Sequence, residues 1–166
     1  PPASPPLSPI PPLAPPMPPL SPAPEGFTTV ATAAQIRAAI ASTPLLGNLS
    51  LYLPAGAVLP LEGAPIHVGP INMRLASEGV GAMLDAEGRS QIFVVQGARL
   101  WMERIALANG HASTVPASSN PLSVEIASDG GALYVWNGSV TMHNGSSIDN
   151  SSAVRHGGAM FVFGGS

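Results

Sequence analysis

The side chains able to do chemistry are few and scattered. Asp85, Asp129 and Asp149 are the only aspartates. Acid/base cleavage of a glycosidic bond needs two carboxyl groups at a defined separation, and none of the three faces a second carboxylate at i+2 along a strand. Asp85 and Glu87, in MLDAEG, are two apart; the reading taken there is a solvated turn, with cation binding as its competitor. Asp129 precedes Gly130-Gly131 and reads as turn chemistry. His67, His111, His143 and His156 show no metal-ligand spacing. His143 and His156 are placed to lie on adjacent passes of the chain, but exposed turn histidines are the expectation. All six basic residues are Arg, which removes the lysine a lyase would use as its base and leaves only Arg to substitute. With no cysteine there is no disulfide, thiolate metal site or sulfur nucleophile. The expectation is no catalytic residue, no metal and no cofactor.

Two other groups of residues fit sugar. Asn48, Asn137, Asn144 and Asn150 each open an Asn-x-Ser sequon. Asn137-Gly138 and Asn144-Gly145 are turn pairs that belong on an exposed corner. Asn150 matches Asn109 across the sequence and is expected in an inward ladder of stacked amides, which suits it less to carrying glycan. Trp101, Tyr134, Trp136 and Phe161 are candidates for an exposed aromatic ladder. Trp101 and Trp136 alternate out of phase with Leu100/Met102 and Leu133/Val135. They stack on sugar rings, or they pack under the loop at 111–122 or into a partner.

The composition narrows the classes. The chain has 166 residues, 45% of them hydrophobic, enough for one domain with a core. Only 9% are charged, and the formal net charge is −3. Nucleic-acid binding needs clustered positive charge to displace counterions, and no basic run exists. No stretch approaches the eighteen or so apolar residues that a spanning helix requires, and no signal-peptide pattern stands at the start. So few charges leave the surface short of hydration.

Residues 1–24 hold 13 of the 20 prolines and no charge. Proline fixes φ and biases its predecessor to extended geometry, so this run has one regular option, polyproline II. The arm is assigned to residues 1–25 and the following domain to 26–166. A semi-rigid linker is one use of such a segment. An SH3 ligand would carry a basic anchor, and none is within reach. Ser4-Pro5-Pro6, Ser8-Pro9 and Pro11-Pro12 resemble the hydroxyproline-rich glycoproteins of plant and green-algal extracellular matrices. That resemblance implies hydroxylation and O-glycosylation at Pro5, Pro6, Pro9, Pro11, Pro12, Pro15, Pro16, Pro18, Pro19 and Pro22.

After Gly26 the texture changes. Thr32 precedes AAQIRAAIA, with Ile36 and Ile40 four apart, which predicts one helix over 33–41, capped by Thr32 and stopped by Pro44. Beyond it come short alternating runs: Leu49–Leu51–Leu53, Ile66–Val68, Ile71–Met73–Leu75, Ile92–Val94, Leu100–Met102, Leu133–Val135, Val140–Met142 and Met160–Val162. Many short strands bounded by turns predict an all-β domain. Gly130-Gly131-Ala132-Leu133-Tyr134-Val135 recurs as Gly157-Gly158-Ala159-Met160-Phe161-Val162. Phe93, Val95, Leu100 and Met102 match Leu133, Val135, Val140 and Met142, with a Ser/Thr/Pro-rich insertion at 111–122 between the copies. Repetition at this period predicts a β-solenoid whose successive turns share one core.

The order of TAAQIRAAIA, the run 49–110 and GGALYVWNGSVTMHNGSSIDNSSAVRHGGAMFVF resembles the right-handed parallel β-helices of the pectin-lyase-like superfamily. More narrowly, it is similar to the non-enzymatic repeats of polymorphic outer-membrane proteins and of many algal surface proteins. The resemblance implies that Ile36 and Ile40 cap the core. Enzymes of that superfamily gather several Asp, or Asp with Arg and Lys, on neighbouring strands, a set this chain does not carry. The reading is therefore a secreted structural glycoprotein of an extracellular matrix, cell wall or surface fibril, with covalent glycans and no membrane span. The alternative is a carbohydrate-binding or carbohydrate-active β-helix with a Pro-rich linker. Met160–Phe163 with no cap after it carries one more expectation: further turns beyond Ser166, or copies stacked in a filament with the arm along a neighbour.

Overall fold

The computed structural model describes residues 22–113 and 128–165. Pro5, Pro6, Pro9, Pro11, Pro12, Pro15, Pro16, Pro18 and Pro19, and positions 114–122 of the insertion, lie outside the described residues.

The helix α1 (Ala33–Ser42) follows its sequence signals closely. The Thr32 hydroxyl accepts from the Gln35 backbone N–H at 3.2 Å, and the Gln35 side chain accepts from Ala31 N–H at 2.7 Å. Two otherwise orphaned donors are thereby satisfied. Thr43, which precedes Pro44, is extended and ends the helix. Ile36 is fully buried and Ile40 packs against the core from its edge. The Arg37 guanidinium donates to the carbonyls of Leu61 and Ala64, at 2.9 and 2.5 Å. It thus ties α1 to a turn 24 residues on.

The other long elements of the described residues are strands, and every strand pair among them is parallel. Sheet I contains β1 (Thr28–Thr29), β2 (Asn48–Tyr52), β5 (Asn72–Ala76), β8 (Arg99–Glu103) and β12 (Ser139–His143), in that order. Sheet II contains β3 (Val58–Pro60), β6 (Ala82–Asp85), β9 (Ile105–Ala108) and β13 (Ser147–Asp149). Sheet III contains β4 (Ile66–Val68), β7 (Phe93–Gln96), β11 (Leu133–Trp136) and β15 (Met160–Phe163). A small pair joins β10 (His111–Ala112) to β14 (Ser152–Ala153). From β2 onward the chain visits sheets I, II and III in rotation.

Register follows the repeats read from the sequence. Leu133 and Val135 pair with Met160 and Val162, and with Phe93 and Val95. Leu100 and Met102 pair with Val140 and Met142. One run is out of phase by a residue. In β7 it is Phe93 and Val95 that join the core in line with Ile66 and Val68, while Val94 is buried outside the core cluster, level with His67 and Tyr134. Ile92 is buried as well, just ahead of the strand. The core draws on all three sheets: Leu51, Leu75 and Met102 from sheet I, Leu59, Leu84 and Leu107 from sheet II, Ile66, Phe93 and Leu133 from sheet III.

Backbones approach closely where the GGA phrases stack. A Cβ on Gly131 would collide with the carbonyl oxygens of Gly158 and Ser152. Gly131 N–H also reaches the Gly158 carbonyl at 3.1 Å. The glycine is there because a side chain has no room.

Candidate functional site

Three polar clusters arise where equivalent positions of successive repeats fall side by side. The first lies at the turn leaving sheet II. Asn150 Nδ2 donates to Asn109 Oδ1 at 2.7 Å, and Asn109 Nδ2 donates to Asp85 Oδ1 at 2.9 Å. The same Asp85 oxygen accepts from Glu87 N–H at 2.8 Å. Asn109 and Asn150 turn the chain with φ of 55° and 46°, a left-handed conformation that asparagine tolerates better than most residues. The amide stacking expected of this pair is present. Its side is different: Asn150 is exposed and Asn109 half-buried, so the ladder runs along solvent rather than inward. It borders an open groove of about 440 Å3 that includes Glu87, His111 and Ser152. His111 Nδ1 lies 2.9 Å from Ser152 Oγ.

The second cluster forms ahead of the stacked GGA phrases. Asp129 is 3% exposed. Its Oδ1 lies 3.1 Å from both the backbone nitrogen and the ring Nδ1 of His156, and 3.9 Å from Arg155 Nε. Gln91 Nε2 donates to the Asp129 carbonyl at 2.7 Å. The His156 ring leans on Phe161, which stacks on Tyr134 with centroids 5.7 Å apart. A carboxylate this deep requires donors, and residues 155 and 156 supply them. Turn chemistry alone does not account for Asp129. The signal that points to the pair is that each repeat places one residue directly before its Gly-Gly, Asp in one copy and His in the other.

The third cluster covers the outer side of sheet I. The Arg74 guanidinium lies 4.2 Å from the Trp101 ring centroid and 5.2 Å from that of Phe27. His143 meets Trp101 at 5.4 Å, and Arg74 reaches Glu103 at 3.8 Å. Arg74 therefore occupies one ring face of Trp101, and a sugar stacking there would have to displace it. Trp136 belongs to sheet III, in register with Gln96 and Phe163. Trp101 and Trp136 do not form one row. His67, His111, His143 and His156 go to four separate places.

The sequon asparagines are all exposed. Asn48 Oδ1 accepts from Asn72 Nδ2 at 3.0 Å, which leaves its own amide nitrogen outside that bond. Asn137 and Asn144 turn with φ of 50° and 47°. Asn144 Nδ2 donates to Glu103 at 2.6 Å. On β2, alternating with the inward Leu51 and Leu53, Tyr52 is buried beside Glu78; burial and then that carboxylate push its phenol up to about 12. Among the described residues, no group of three or more His, Cys, Asp or Glu is placed to hold a metal ion, and no helix is long and apolar enough to cross a membrane.

Set against known proteins, the chain matches no family model, no curated protein and no solved structure.

Proposed function

We infer that the chain is a secreted structural glycoprotein of an extracellular matrix, cell wall or surface fibril. Its domain is a right-handed parallel β-helix preceded by a glycosylated polyproline-II arm. The observation that carries this reading is the rotation of the chain through three parallel sheets around a common core. A β-helix is the simple way to satisfy that order, and right-handed crossovers are the rule between parallel strands. The arm and the domain are divided near residue 25. Sugar on Asn48, Asn137, Asn144 and Asn150, and on hydroxylated prolines of the arm, supplies the hydration that a chain with 9% charged residues lacks.

The domain performs no hydrolysis or elimination in this reading and needs no cofactor or nucleic-acid partner. Supporting this, the Asp85 carboxylate is engaged by Asn109 and the Glu87 backbone, and Asp129 by His156. Self-association belongs to the same proposal.

The test is to raise antibodies to the domain and fractionate native material. The reading expects the protein in the wall or matrix fraction, migrating well above its polypeptide mass and shifting down on chemical deglycosylation. Intracellular protein whose migration does not change on deglycosylation would overturn it.

A further inference from the structure

An uncharged groove of about 160 Å3 opens on the outer side of sheet II. Val58, Met83 and Ala106 stand next to one another across β3, β6 and β9, opposite the buried Leu59, Leu84 and Leu107. Val80, in the turn before β6, also lines it and is 89% exposed; Val58 is 59% exposed. Val58 and Val80, open to water beside the half-buried Met83 and Ala106, leave a small apolar surface uncovered.

We propose that this groove is covered by the proline-rich segment of the same chain, through an aliphatic stripe that runs along it. A polyproline-II helix has three residues per turn. Leu7, Ile10 and Leu13 are spaced by three and so fall on one face; after Ala14 the stripe steps over by one residue and continues as Met17 and Leu20. Every other position from 5 to 20 is Pro, Ser or Ala. Three residues of polyproline II advance about 9.3 Å, and two strand spacings are about 9.4–9.8 Å. Laid across β3, β6 and β9, the segment delivers one aliphatic side chain to every second strand.

Charge and reach agree with the pairing. Residues 1–24 are uncharged, and so is the groove lining. Residues 1–21 precede the described part of the chain; a polyproline-II segment of that length would span roughly 65 Å, several times the width of three strands. A pre-extended segment loses little entropy on docking. The proline faces turn away from the groove and stay open to hydroxylation and sugar, so docking does not depend on the glycoprotein reading.

The absence of cysteine makes a single-site label possible. A nitroxide at Ser8→Cys in the full chain is read by the relaxation of domain amides. The expected result is selective broadening at Val80, Met83 and Ala106. It falls at least threefold when Val80→Asp is added, and again in the Leu7→Asp/Ile10→Asp double variant, whose domain is unaltered. Broadening that is absent, that centres elsewhere or that survives both changes overturns the proposal. Broadening seen only between spin-labelled and isotope-labelled copies in a mixed sample also overturns it, because the occupant is then a second molecule.

Discussion

Asp129 holds His156 by two contacts to one carboxylate oxygen, from the backbone nitrogen and from ring Nδ1, each at 3.1 Å. The two residues are 27 apart in sequence and adjacent in space. Asp129→Ala removes the acceptor of the His156 N–H and the carboxylate that Arg155 approaches. A hydrogen bond to a charged group contributes about 1.5–3 kcal/mol. The urea midpoint should fall accordingly, and hydrogen exchange should speed at 130–133 and 156–163 more than at 72–76. A midpoint within error of the parent would mean the contact contributes nothing.

The ladder residue Asn109 does two things, and two substitutions separate them. Asn109→Gly keeps the left-handed turn and loses the bonds to Asp85 and Asn150. Asn109→Ala loses the bonds and strains the turn as well. Alanine should be less stable than glycine by about 1 kcal/mol, measured as a difference in urea midpoint at equal slope. Equal stability of the pair would show that φ at this position carries no cost.

Gly131 and Gly145 form a matched pair of opposite kind. A methyl group at Gly131 meets two carbonyl oxygens, while at Gly145 it meets nothing within 4 Å, with φ at 84°. Gly131→Ala should therefore unfold the β11–β15 region or abolish soluble expression. Gly145→Ala should cost only about 1 kcal/mol. Thermal unfolding of the two variants side by side distinguishes the cases.

Alkaline pH should expose Tyr52. Its phenol is held up to about 12 in the folded protein against an ordinary value of 10.0. The raised value favours the folded state fully below pH 10, and that contribution is lost as pH climbs from 10 to 12. A two-unit shift corresponds to about 2–3 kcal/mol. Urea midpoints across this window should decline in the parent and decline less in Tyr52→Phe. Parallel curves would remove Tyr52 from the account.

Sheets I and III were legible in the sequence because their strands run mostly four or five residues and alternate visibly, as Leu49–Leu51 and Leu133–Val135 do. Sheet II was not. Its strands are Val58–Pro60, Ala82–Asp85, Ile105–Ala108 and Ser147–Asp149, each with one or two inward apolar residues. A period of two cannot be read from Leu59 alone, and Ala82 looks like turn composition. The repeat phrases were the stronger guide: the Gly-Gly-Ala copies give the register of β11 on β15 to the residue. The Asn109–Asn150 match predicted contact but not side, since spacing carries no information on whether a turn faces water. The Asp129–His156 pair was hidden because each residue, taken singly, is ordinary turn chemistry.

Peptide mass spectrometry of native protein tests the central claim most directly, because it reads both kinds of glycan site in one measurement. The account predicts hydroxyproline bearing sugar within 1–24 and N-glycan at Asn48 and Asn137, with Asn144 and Asn150 less occupied because their amides donate to Glu103 and Asn109. Unmodified proline throughout the arm together with four bare sequons would contradict it.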